Sequence, residues 1–90
     1  MEYQEILDAA WGMISATSNK WVFEPVSSSN LAAAAYDRSG KVLVVAFLDG
    51  SVYMYADVPL RVWNGLMRAE SHGSYFYWNV RLSFEYARID

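Results

Sequence analysis

One histidine and no cysteine stand among the 90 residues, which narrows the chemistry available to the chain. His72, in the run Ser71-His72-Gly73-Ser74, would have to be the base of any Ser-His-Asp arrangement. Serines and aspartates occur throughout and single out no partner for it, and a Gly-flanked histidine is ordinarily a plain surface residue. There is no thiolate nucleophile. A metal would find neither His-x-x-x-His nor paired-cysteine spacing. Gly12, Gly40, Gly50, Gly65 and Gly73 form no phosphate-cradling loop. The residues therefore point away from an enzyme and imply no cofactor and no metal; a hydrolase centred on His72 is only a remote third class.

Binding chemistry is better represented, between Arg68 and Arg81. Ser71 can cap a helix whose first turn, through His72, Gly73 and Ser74, presents unpaired N–H groups and the positive end of the dipole to an anion. Arg68 and Arg81 could add charge there. The competing reading is a normally capped helix with solvated arginines. Aromatic residues are 17% of the chain, and Tyr53, Tyr55, Tyr75, Tyr77 and Trp78 form a second candidate set. Exposed rings stack on bases or anchor protein interfaces; rings on adjacent antiparallel strands also simply pack on one another. Tyr53 and Tyr55 fit packing better. If Phe76 and Val80 face the core, Tyr77 and Trp78 lie at least partly exposed, and an exposed tryptophan calls for a partner.

The elements that would position these residues follow from pattern. Tyr3, Ile6, Leu7, Ala10 and Ile14 recur on one helix face over residues 3–16. Residues 21–26 read as a short extended piece in which Pro25 excludes a central strand position. Residues 31–36 and 41–48 read as strands joined by the turn Asp37-Arg38-Ser39-Gly40, and apolar residues on both faces of 41–48 make it a covered, central strand. Asp49-Gly50 suits a two-residue hairpin turn, with 51–56 returning and Tyr53 and Tyr55 sharing a face. A helix starts at Asp57-Val58-Pro59 and runs to about residue 69. A short helix follows from Ser71, and Phe84–Ile89 makes a last strand. The expectation is an α+β domain: an N-terminal helix, an antiparallel three-stranded meander, a helix, a short helix and a final strand.

Composition bounds the rest. Hydrophobic residues are 54% and charged residues 19%, which excludes a disordered or low-complexity chain. No run approaches the ~18 apolar residues of a membrane span, the acidic start Met1-Glu2-Tyr3-Gln4-Glu5 does not suit a signal peptide, and the lack of cysteine favours a cytoplasmic home. Net charge is −3, and residues 1–25 carry the whole excess: Glu2, Glu5, Asp8 and Glu24 against Lys20. That balance argues against a dedicated nucleic-acid binder but permits a local basic patch.

Several pieces in combination resemble the KTSC domain family: Val26-Ser27-Ser28-Ser29-Asn30-Leu31, Tyr36-Asp37, Val45-Ala46-Phe47-Leu48-Asp49-Gly50, Tyr53-Met54-Tyr55, Val58-Pro59, Ala69-Glu70-Ser71-His72-Gly73-Ser74-Tyr75-Phe76 and Phe84-Glu85-Tyr86-Ala87-Arg88-Ile89. The resemblance spans about residues 26–89. Two positions depart from it: Tyr77 stands where the family usually has Asn, and His72 where it usually has Lys or Arg, both at the helix start that would meet a ligand. The resemblance implies a small α+β domain, found alone in bacterial and phage proteins and at the C-terminus of some lysyl-tRNA synthetases, a location that suggests RNA binding. On this reading residues 1–25 are a helical extension packed on a KTSC-like domain of residues 26–90. The expected function is a non-catalytic module that binds another protein, an accessory or inhibitory factor of bacterial or phage origin. The alternative is RNA binding. The binding residues in either case are Arg68, Ser71, His72, Gly73, Tyr75, Tyr77, Trp78 and Arg81, no membrane is involved, and the N-terminal stripe also permits a homodimer.

Overall fold

The computed structural model describes residues 23–89. The helix expected over residues 3–16, and with it most of the proposed N-terminal extension, lies outside the described residues. Over residues 23–89 the fold is an antiparallel sheet with two helices. Five strands run in sequence order, β1 (Glu24–Pro25), β2 (Leu31–Asp37), β3 (Val42–Phe47), β4 (Val52–Tyr55) and β5 (Tyr86–Arg88), each paired with the next. The three-stranded meander expected from sequence is the centre of this sheet rather than the whole of it. Two short strands extend it at both edges, pairing Glu24 with Ala34 and Tyr55 with Tyr86. Pro25 keeps to an edge, where its missing donor costs no ladder bond.

The strand pattern sorts side chains onto two faces. Leu43, Val45 and Tyr55 point to the helix side and join Leu31, Ala34, Val58, Val62, Leu66, Phe76 and Val80 in the main core. Val42, Val44, Met54 and Ala87 form a smaller apolar cluster on the other face. Both faces of β3 are therefore buried, as its unbroken apolar run requires. The period slips once, at a bulge in β2 between Leu31 and Ala33.

The β3–β4 connection departs from the expected two-residue turn. The Phe47 N–H donates to Ser51 O at 2.8 Å and the Gly50 N–H to Phe47 O at 3.0 Å, so three residues, Leu48 to Gly50, span the hairpin. Gly50 takes the left-handed conformation (φ 92°) that closes this turn type. Leu48, which sequence placed on a strand face, is 62% exposed at the tip. Asp49 supplies the lock: its Oδ1 accepts from the Ser51 hydroxyl at 2.6 Å and the Ser51 N–H at 2.9 Å.

Helix α1 (Leu60–Arg68) begins after Pro59, which sits extended at its N-cap. The entry is fixed from two sides. The Tyr36 hydroxyl donates to Val58 O at 2.5 Å, and the Tyr36 ring stacks on Trp63 at 5.5 Å. Val62 and Leu66, four residues apart, are the helix's fully buried contacts. Helix α2 (His72–Phe76) follows after three residues and passes without a break into one π-helical turn, Tyr77–Arg81. No described helix is long and apolar enough to cross a membrane.

Candidate functional site

Helix α2 and its π turn carry the most exposed aromatic surface, and packing dictates why. The Ser71 hydroxyl caps the helix by accepting the Ser74 N–H at 3.2 Å. Phe76 and Val80, four residues apart, are buried in the core. Their neighbours must then face outward: Tyr77 is 41%, Trp78 68% and Leu82 62% exposed. Tyr77 and Trp78 meet edge to face at 5.0 Å, and the Arg81 guanidinium lies 5.4 Å above the Tyr77 ring. The π turn has widened the helix where these side chains leave it, a distortion often found at functional positions.

Beside this ridge the sheet contributes a cleft of about 280 Å³. Phe47, Tyr53, Tyr55, Phe76, Tyr77 and Tyr86 supply its ring surfaces, while Asn30, Asp49, Ser51 and Arg81 complete the lining. The rings hold one another by edge and tilted contacts: Phe47 against Tyr53 and Phe76 at 5.6 Å, Tyr55 against Phe76 at 5.4 Å and Tyr86 against Tyr55 at 5.8 Å. Burial pushes the Tyr55 phenol well above the usual tyrosine value, against a downward pull from the Arg81 charge. Its hydroxyl is therefore a proton donor throughout the neutral range. In contrast, the Ser51 hydroxyl and N–H hold the Asp49 carboxyl below the usual aspartate value.

On the other flank of Tyr77 an open trough runs between the Ser27–Asn30 loop and Glu70–Ser74, with Trp78 at its side. Four of its polar side chains, Ser28, Asn30, Ser71 and His72, have partners among the described residues. His72 Nδ1 lies 2.7 Å from Leu66 O; since a carbonyl only accepts, Nδ1 carries the proton and the ring closes the end of α1. The Ser28 hydroxyl accepts from the Asn30 and Leu31 N–H groups and donates to Asn30 Oδ1 at 2.9 Å. A Cβ on Gly73 would come within 2.9 Å of that same Oδ1, so glycine is what lets the loop sit against the helix. The Ser71 oxygen takes up the Ser74 N–H, one of the donors a helix start could offer an anion, and the Glu70 carboxylate in the lining disfavours a second negative charge there.

Of the residues expected from sequence, Ser71, His72, Gly73, Tyr77 and Trp78 line the trough, and Tyr77 and Arg81 line the cleft. Arg68 and Tyr75 line neither. Arg68 is exposed at the end of α1. The hydroxyl end of the Tyr75 ring packs against Gly65, where a Cβ would overlap it; its role is to seat α2 on α1. Sequence reasoning left out Asn30, Phe47, Asp49, Ser51 and Tyr86. Only the alternation Tyr53-x-Tyr55 hinted at this wall, because the rest depends on β5 pairing with β4 and on the fold of the hairpin loop. Among the described residues no group of three His, Asp or Glu side chains is placed to hold a metal ion.

Known proteins resemble this chain in sequence and fold. A protein of Tsukamurella paurometabola is 40% identical over 52 residues, 58% of this chain and 78% of its own. One from Stutzerimonas stutzeri is 35% identical over 66 residues, 72% of this chain and 93% of its own. The crystal structure of a KTSC domain protein from Yersinia pestis superposes with a TM-score of 0.75 at 30% identity, covering 78% of this chain and 99% of that one. The sequence profile of the KTSC domain matches residues 27–84, a stretch that takes in β2 to β4, both helices, the cleft except Tyr86, and the whole trough. With more than half its length so matched, the chain belongs to the KTSC domain family.

Proposed function

We propose that this protein is a non-catalytic interaction module that grips another protein by the ridge of Tyr77, Trp78 and Leu82. The observation that carries the reading is the 68% exposure of Trp78 beside a 62% exposed Leu82. A domain this small has every reason to bury a tryptophan in its own core, and a contiguous exposed aromatic and aliphatic patch marks an interface. Tryptophan and tyrosine are also the residues that dominate interface energies. Charge favours protein over RNA: the cleft and trough together hold one arginine, Arg81, against two carboxylates, Asp49 and Glu70. A groove that tracks a phosphate backbone needs several cations. The single arginine over an aromatic ring supports no more than one stacked base.

The test is capture from a bacterial lysate with the wild-type chain, compared with Trp78→Ala. A bound protein that survives ribonuclease and is lost with Trp78→Ala is expected. The loss corresponds to about 2 kcal/mol, roughly thirtyfold in affinity, with folding stability changed by no more than about 0.5 kcal/mol. Equal capture by Trp78→Ala would dismiss the ridge. Tryptophan quenching by a mixed single-stranded RNA pool that fades as salt rises would move the reading to RNA.

A further inference from the structure

The cleft has a chemical bias that the ridge does not share. Its walls are rings, but its polar groups are unequal in what they have left to give. Asp49 Oδ1 is taken up by Ser51, and Asn30 Oδ1 by Ser28. Among the described residues, the Tyr53, Tyr55 and Tyr86 hydroxyls have no hydrogen-bond partner and Arg81 has no carboxylate partner. Tyr55 is only 3% exposed, and a buried hydroxyl without a partner is uncommon in a folded protein. The surplus is thus of donors: the one positive charge, Arg81, is matched in number by Asp49, but the Asp49 oxygen that is bonded is committed to Ser51, whereas the Arg81 and tyrosine donors are uncommitted.

We propose that the cleft binds a carboxylate carried on an apolar, ring-sized body, the carboxylate meeting Arg81 and the Tyr55 hydroxyl and the body lying against Phe47, Phe76 and Tyr86. A guanidinium and a phenol are both donors, and a carboxylate accepts from both at once. The volume of about 280 Å³ lies at the lower edge of small-molecule sites, which span roughly 300–1,000 Å³. It admits one ring and excludes a dinucleotide or a large prosthetic group. A phosphate fits less well: it brings a second negative charge toward Asp49, and the lining holds no second cation to offset it. Ring walls provide offset and edge-on faces for an aromatic or branched body. Such a ligand can be a free carboxylic acid or the last residue of another protein, with an apolar side chain beside its terminal carboxylate. The site shares Tyr77 with the ridge, but its ligand is held by Arg81 and Tyr55 rather than by Trp78, so each reading can hold while the other fails.

The experiment is an NMR titration of the full chain at neutral pH with phenylacetate, phenylacetamide, and N-acetyl-Ala-Ala-Phe as its free acid and as its carboxamide. Saturable shifts at the Tyr53, Tyr55, Phe76 and Arg81 signals are expected with phenylacetate or the peptide acid, at about millimolar strength for a fragment of this size. Each acid should bind at least about tenfold tighter than its amide. Arg81→Gln should abolish that difference, and Tyr55→Phe should weaken the acid about fivefold without unfolding the chain. Binding of phenylacetate alone identifies a free acid as the natural ligand class; binding of the peptide acid alone identifies a protein terminus. The proposal is overturned if neither acid gives saturable shifts by about 20 mM, if amides bind as well as acids, or if Arg81→Gln keeps the preference. Saturation by adenosine monophosphate without saturation by either acid would also overturn it, and would assign the cleft to a stacked base with its phosphate.

Discussion

Replacing Gly65 with alanine sets two opposing effects against each other at one atom. Gly65 lies inside α1, and alanine in a helix interior is favoured over glycine by about 1 kcal/mol. On propensity alone Gly65→Ala would stabilise the protein. The added Cβ, however, would fall on the Tyr75 ring, reaching its hydroxyl oxygen and within 2.5 Å and 2.9 Å of two ring carbons. Because ring carbons and not only the hydroxyl are involved, the whole side chain has to move. Fully burying a ring this size contributes about 1.5–3 kcal/mol, and forcing an extra methyl into a packed contact costs about 1–3 kcal/mol. Tyr75 is partly buried, so about half the burial is at stake, and the clash term decides the sign. A net loss of about 1–2 kcal/mol is expected. In a Tyr75→Ala background there is no ring to strike, and the same substitution should raise stability by about 1 kcal/mol. The coupling between the two positions is then about 2–3 kcal/mol, well beyond what independent sites show. Urea unfolding of the four proteins, followed by circular dichroism with a common slope, measures it. A stabilised Gly65→Ala in the presence of Tyr75, or additive effects, would refute the assignment of Tyr75 to seating α2.

Two further outcomes test the parts around the site. His72→Ala removes the bond to the buried Leu66 carbonyl and should lower stability by about 1 kcal/mol while leaving capture through Trp78 intact; full stability would show that the cap contributes nothing. The Asp49 carboxyl, held low chiefly by the Ser51 hydroxyl and then by the Ser51 N–H, favours the folded state above its unfolded value of about 3.9, and that contribution is lost as pH falls through the lower folded value. Ser51→Ala should bring the Asp49 titration, read from its carboxyl carbon by NMR, back toward the ordinary value; an unmoved titration would rule out the hairpin lock as the cause.

Sequence pattern reached the parts of the fold where one residue type repeats on one face. Leu43, Val45 and Phe47 against Val42 and Val44 announce a covered strand, and Phe76 with Val80 orients α2 so that Tyr77 and Trp78 must leave the core. It stopped where geometry depends on distant pairing. Glu24–Pro25 offers two residues to the ladder and Tyr86–Arg88 buries only Ala87, so neither advertises a strand; each exists because β2 and β4 have open edges to pair. The hairpin was misread for a related reason. Leu48 continues the apolar run by type, yet the bond from Gly50 to Phe47 O turns the chain one residue earlier. The π turn left no trace, since four-residue spacing from Phe76 to Val80 suits an α-helix equally. Half the cleft is consequently invisible in the sequence: Phe47, Ser51 and Tyr86 come together only through that hairpin and the β4–β5 pairing, and Tyr75 reads as a candidate binding ring because its glycine partner leaves no apolar mark in the sequence.

The division of labour among the polar residues follows from counting who already has a partner. Ser28, Asn30, Ser71 and His72 are engaged in caps and turns, and Gly73 is held by the space it leaves. An atom engaged in such a bond, the Ser28 and His72 donors or the Ser71 and Asn30 acceptor oxygens, can bind a ligand only by giving up a bond worth about as much as the one it gains. These residues therefore serve position: they cap α2 and hold the Ser27–Asn30 loop against it, beside the contact of Phe47 with Phe76 that lines the cleft. The capacity to bind resides in groups the fold leaves unsatisfied, which are the Tyr55 hydroxyl, the Arg81 guanidinium and the bare face of Trp78. Arg81 and Trp78 leave the same π turn three residues apart, with Tyr77 between the cleft and the ridge and touching both. Any ligand that draws Arg81 off the Tyr77 ring must alter the ring's contact with Trp78, so occupation of the cleft and of the ridge should register in each other.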